Sequence, residues 1–295
     1  MKKMIYLIVA VLMTGCSSEP EFVVKGNIQD SDSVTFMLQK REAGKFITLD
    51  SALSRNGIFK MTGSVQFPEM VQLVATGRQK RVSFYIENSE ITISGNLDSL
   101  SFAEVSGSKT QDEYQSFIDS NKPLSEKYSN LYIEYQSARQ ENNTEKIAEL
   151  EKEAEAIQNE MTQLEKDFVK NNPSSYVSPS ILNSLSYEME ASDIEAAINA
   201  LDTNVARIPV AKDLMARAQV MKAVAIGQKA PDFTLNDVSG NPVSLSSKIG
   251  AKLLLIDFWA GWCNPCRQEN PNVVRVYKEF NKKGFDVFGV SLDRT

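Results

Sequence analysis

The sequence predicts a multidomain α+β protein: an N-terminal β-sandwich or barrel, a helical middle containing a helical hairpin, and a C-terminal α/β segment. Three observations carry that expectation. Short runs rich in β-branched and aromatic residues, parted by turn residues, follow one another from residue 22 to residue 94. From Thr110 onward, apolar residues instead recur at spacings of three and four, the period of an amphipathic helix. Near the C-terminus the apolar run Leu253–Trp259 enters a helix through two cysteines, and a second apolar run follows over 285–292, the order of a strand–helix–strand crossover.

At 295 residues the chain has room for two or three domains. Its net charge of -6 and the lack of a basic stripe argue against a nucleic-acid partner. The absence of histidine removes Ser-His-Asp and Cys-His catalysis and any His-based metal site. Lys2 and Lys3 precede an apolar stretch over 4–13, then Thr14, Gly15 and Cys16, which reads as a secretory signal too short for a comfortable membrane span. With Cys16 just after the expected cut, the segment resembles a bacterial lipoprotein signal, with Met13 where leucine is usual. Residues 1–15 are then the signal, and 16–21 the lipidated Cys16 and its tether, a lipid anchor to a membrane of the cell envelope. The anchored protein would face the periplasm or sit on the outer membrane. A plain signal peptide or an uncleaved anchor would export the chain equally. Lipidation takes one of the 3 cysteines and leaves two for the C-terminal pair.

The β-rich domain is assigned to 22–107, with strands over 22–28, 34–38, 46–53, 58–62, 70–75, 82–86 and 91–94. Asn56-Gly57 between two of them is a hairpin signal, because both residues tolerate positive φ. No catalytic pattern stands out there, and a spacer or recognition module is as well supported as plain structural packing.

The helical region is assigned to 108–226. Tyr128, Leu131, Tyr135 and Ala138 share one face, and after Asn142-Asn143 so do Ile147, Leu150, Ala154, Ile157, Met161, Leu164 and Phe168. Two such helices joined by a short polar link form an antiparallel hairpin; the heptad spacing of the second also suits a coiled-coil dimer. Asn171, Asn172 and Pro173 stop the second helix. Shorter helices follow over 179–188, over 193–201 with Ser192 and Glu195 as a capping box, and over 209–226 with proline first and Gly227 at its end. A strand pair over 231–235 and 243–245 surrounds a turn at Ser239-Gly240-Asn241.

The run Leu253–Trp259 is apolar except for Asp257, so it expects cover on both faces and a buried carboxylate with a raised pKa. Asn264 and Pro265 separate Cys263 from Cys266, and Pro265 suits the first turn of a helix. Cys263 therefore sits at or just before a helix N-terminus, where unpaired N–H groups and the helix dipole favour a thiolate. A thiolate attacks disulfides, and a second cysteine one turn on can resolve the mixed disulfide. Zinc wants four ligands, which 3 cysteines without histidine do not supply. Pro271 kinks the helix by removing the N–H that would reach the carbonyl of Arg267.

At these residues, and at Gly227, Gln228, Ala230, Pro231, Asp232, Phe233, Leu235, 240–245 and 285–293, the chain resembles the membrane-anchored, extracytoplasmic TlpA/ResA-type thiol-disulfide oxidoreductases of thioredoxin-like fold, in a multidomain form typical of Bacteroidota. The resemblance implies that Cys263 attacks and Cys266 resolves, with Asp257 moving the proton of Cys266. It matches Trp262 to the aromatic before the motif, and Asn264 departs from the common glycine. It implies protein thiols and disulfides as substrates, a membrane electron donor and no cofactor. It also implies roughly 70 more residues after Thr295, with a cis-proline loop facing the cysteines, so that 227–295 is expected to be a partial, loosely packed thioredoxin-like α/β domain with an open strand edge. The rival expectation is a non-enzymatic surface lipoprotein that binds a protein or glycan, with Cys263–Cys266 as a structural disulfide.

Overall fold

The computed structural model describes residues 21–42 and 44–293, so the signal, Cys16 and its tether lie outside the described residues. The chain divides into two compact units, with the boundary after Gln219.

In the first unit, β1 (Phe22–Gln29), β4 (Ile58–Gly63), β7 (Glu90–Asn96) and β8 (Glu104–Ser106) form one sheet in the order β4-β1-β7-β8. A second sheet has the order β3-β2-β5-β6, from β2 (Thr35–Glu42), β3 (Lys45–Leu53), β5 (Glu69–Ala75) and β6 (Lys80–Ile86). Neighbours run antiparallel except β1 and β7, which are parallel. Inward positions alternate along the strands, so Phe22, Val24 and Ile28 of the first sheet share one core with Phe36, Leu38, Val71 and Leu73 of the second. Phe36 and Phe59, one from each sheet, stack with ring centroids 4.5 Å apart. Gly26 pairs with Phe59 across β1 and β4, and a Cβ there would run into that ring, so the stack requires the glycine.

The Asn56-Gly57 turn forms as expected, with φ of 51° and 81° and mutual backbone bonds between Arg55 and Ile58. It does not close a hairpin within one sheet. β3 and β4 belong to different sheets, so the turn makes a corner between them. A short 3-10 helix over Leu97–Phe102 and the three-residue β8 are additions that the residue pattern was too short to announce.

Helix α1 (Lys109–Gln140) starts at Ser108, whose hydroxyl accepts from the N–H of Gln111. Asn142 takes a left-handed φ of 54° and Asn143 caps α2 (Thr144–Asn171). The helices pack antiparallel within the chain, burying Leu131, Ala138, Leu150 and Ile157 together, with Tyr128, Tyr135, Ile147, Ala154 and Met161 beside them. The heptad face is thus used inside one chain.

Helices α3 (Ser178–Leu185), α4 (Ala191–Asn199) and α5 (Pro209–Ala223) follow. The capping box expected at Ser192 is absent: α4 begins two residues earlier than expected, with Glu190 at the cap position and no side-chain cap bond. Ser192 is inside the first turn and cannot serve as its cap.

In the second unit, β9 (Thr234–Asn236) pairs antiparallel with β10 (Pro242–Ser244) around a turn held by the Asp237 carboxylate, which accepts from the N–H groups of Ser239 and Asn241. β11 (Leu253–Trp259) pairs in parallel with β12 (Phe285–Ser291), and α6 (Asn264–Phe280) connects them. Gly284, at φ 101°, ends the short 3-10 turn after α6. Among the described residues β11 has β12 as its one strand partner. The expected two-sided cover is not seen: Leu253 is 64% exposed and Phe258 57%. The physical reason is a thin core, because among the described residues Leu245, Ala260 and Val290 are the unit's buried apolar residues and α6 buries none.

Candidate functional site

The site is the junction between β11 and α6. Trp259 ends the strand, residues 260–262 turn, and Cys263 becomes the N-cap of α6 with extended backbone. Asn264 and Pro265 open the first turn, where the missing N–H of proline costs nothing. Cys263 and Cys266 are joined by a disulfide with Cα atoms 5.3 Å apart. In that oxidised form the Sγ of Cys263 stands at the N-cap of α6. The N–H of Cys266 points to it at 3.3 Å, the place of a capping oxygen in an ordinary helix. No acidic residue occupies the first turn of α6, so nothing there opposes negative charge on sulfur.

Both cysteines are half-buried, Trp262 beside them is 74% exposed, and Pro265 is exposed. The pair is therefore not enclosed, and the exposed Trp262 and Pro265 are its neighbours in the chain. Asp257 lies in β11 opposite Gly289 of β12 and is half-buried, where the sequence expected full burial. The correction has the same cause as the exposed strand faces: β11 is covered on too little of its surface to bury the carboxylate. Pro271 is accommodated within α6, which continues through it to Phe280.

One group at the junction was not singled out from the sequence. The Asp293 carboxylate accepts from the N–H of Gly261 at 2.9 and 3.1 Å and from the Ser291 hydroxyl at 2.7 Å. These bonds, that of Gly261 foremost, hold its pKa below the usual carboxylate value. The signal was present but indirect: parallel pairing puts Trp259 opposite Ser291, so residues just past each strand end must meet. That inference needs a register, which composition does not supply.

Comparison with known proteins matches two separate segments of the chain. Residues 22–114 match a domain of unknown function, DUF4369, and residues 226–295 match the AhpC/TSA family. A thioredoxin-like protein of Bacillus subtilis, YneN, is 51% identical over 57 residues, which are 19% of this chain and 33% of that protein. The thiol-disulfide oxidoreductase ResA of Oceanobacillus iheyensis is 40% identical over 78 residues, 25% of this chain and 40% of its own length. The chain thus spans well under half of these relatives. A solved thioredoxin domain of a thiol-disulfide oxidoreductase from Bacteroides vulgatus is 43% identical, over 24% of this chain and 51% of that one, with a TM-score of 0.23 that adds nothing to the fold. Residues 226–295 thus match the AhpC/TSA family and are similar in sequence to proteins named as thioredoxin-like and as ResA-type thiol-disulfide oxidoreductases.

Proposed function

We propose that the protein is a thiol-disulfide oxidoreductase, acting as a disulfide reductase outside the cytoplasm and tethered to a membrane through lipid on Cys16. The observation that carries this reading is a half-buried Cys263–Cys266 disulfide whose first sulfur occupies a helix N-cap. Among the described residues no helix is long and apolar enough to cross a membrane, and the tether rests on the N-terminal sequence.

In the reduced protein the Cys263 thiolate attacks one sulfur of a partner disulfide. A mixed disulfide forms, and the other partner sulfur leaves as a thiolate and takes a proton from water. Cys266 then gives its proton to Asp257 and attacks the Cys263 sulfur. The second partner sulfur leaves as a thiolate and takes a proton from water, Asp257 gives the proton it accepted back to water, and the Cys263–Cys266 disulfide seen in the structure is the product. Two electrons have passed to the partner, and a membrane electron donor returns them. Trp262 and Pro265 shape the surface against which the partner lies. Residues 22–107, read as a β-sandwich, and the helical region 108–226 serve as spacer or recognition modules for the thioredoxin-like segment 227–295.

The test is trapping in the full protein. Cys266→Ser should accumulate a mixed disulfide with a disulfide-bearing protein such as insulin, visible on a non-reducing gel. Cys263→Ser should form none, and its insulin reduction should fall to background. Equal trapping by both variants, or parent activity at background, would contradict the proposal.

A further inference from the structure

We infer that Asp293 is a positioning residue that braces the 260–262 loop and so keeps Cys263 at the cap of α6; the inference rests on the oxidoreductase reading of that pair. Two contacts tie the stretch before Cys263 to the residues just past β12, and a third closes the loop on itself. The N–H of Leu292 donates to the carbonyl of Trp259 at 2.9 Å, which closes the strand pair. The N–H of Gly261 donates to both carboxylate oxygens of Asp293. The N–H of Cys263 donates to the carbonyl of Ala260 at 3.1 Å, folding the loop back on itself. Of these, the Gly261 contact is the one made by a side chain, and a substitution can remove it without touching the backbone.

The carboxylate is itself fixed. Ser291 donates its hydroxyl to one Asp293 oxygen and accepts the Asp293 N–H at 3.1 Å, a closed local arrangement. A charged acceptor makes a stronger bond than a neutral one, though exposure to water here keeps the effect modest. The chemical consequence falls on Cys263. A thiolate is stabilised by the first N–H groups of α6 only while its sulfur stays at the cap position. A loop released from Asp293 lets Cys263 drift from that position, and the thiolate fraction at neutral pH drops. Asp293 does this without touching sulfur or substrate.

The experiment is the pH profile of Cys263 alkylation by iodoacetamide in the reduced full protein, for the parent, Asp293→Ala and Asp293→Asn. Asp293→Ala should move the midpoint upward, so that the rate at pH 7 falls by roughly threefold to tenfold while the rate at high pH is unchanged. Asp293→Asn keeps an acceptor for both donors and should stay within about twofold of the parent. Ser291→Ala, which frees the carboxylate but keeps it, should shift the midpoint in the same direction by less, and it decides the matter if Asp293→Ala does not fold. An unchanged profile in Asp293→Ala overturns the inference, as does a downward shift in both Asp293 variants, which would mark the carboxylate as a charge rather than a brace. Failure of the underlying reading is separable: it shows in the parent alone, as a Cys263 midpoint near the ordinary thiol value of about 8.5, and it removes the inference with it.

Discussion

Tyr85 shows how single side chains hold the first unit together. It stands in β6 at 2% exposure, its N–H donates to the side chain of Gln111, its hydroxyl donates to Ser180 of α3, and its ring meets Tyr114 of α1 edge-on at 5.2 Å. Burial raises its pKa to about 12, against a smaller lowering by the Ser180 bond. The folded state therefore keeps the phenolic proton where the unfolded chain, near 10, has lost it. The stability this adds is full below about pH 10 and is lost as pH rises towards 12, a loss approaching about 3 kcal/mol. Urea titrations across pH 9–12 should show that extra slope in the parent and not in Tyr85→Phe; equal slopes would contradict the assignment. At this scale the sequence was legible where chemistry is contiguous. Trp262, Cys263, Pro265 and Cys266 are neighbours, and cap, proline and sulfur pair follow from their order. Asp293 was not, because its partner Gly261 is distant in sequence and near only through strand register.

Among the elements, the α1–α2 hairpin was the most legible, since its apolar face repeats over a long stretch and Asn142-Asn143 marks the reversal. Ile157 is 1% exposed in its seam with Leu131, Ala138 and Leu150. Ile157→Ala should lower stability by about 2–5 kcal/mol in a denaturant melt, whereas a change below about 0.5 kcal/mol would mean the seam is not formed. Short elements were harder to read. The Leu97–Phe102 turn and β8 carry too few residues for a period to show, and α4 starts before its apparent capping box because Glu190 already adopts the extended cap backbone. In β11 the sequence named the strand and its ends; the apolar run taken alone implied cover on both faces, while the loose packing and open strand edge also expected there are what the strand has. An apolar run says what a strand is suited to bury, not what lies on it.

At the scale of the molecule, the two units differ in how their apolar residues are used. The first encloses a continuous core between its sheets. The second buries few side chains and exposes Leu253 and Phe258 in β11 and Trp262 next to Cys263 in the chain. Under the proposed function Cys263–Cys266 is an exchanging redox pair and not a structural bridge. The most direct measurement equilibrates the full protein in a series of thiol–disulfide buffers and counts free Cys263 and Cys266 by alkylation. An exchanging pair should titrate reversibly at a potential milder than about -300 mV, where catalytic disulfides lie. A pair that stays oxidised below that value would contradict that reading and leave a structural disulfide in its place.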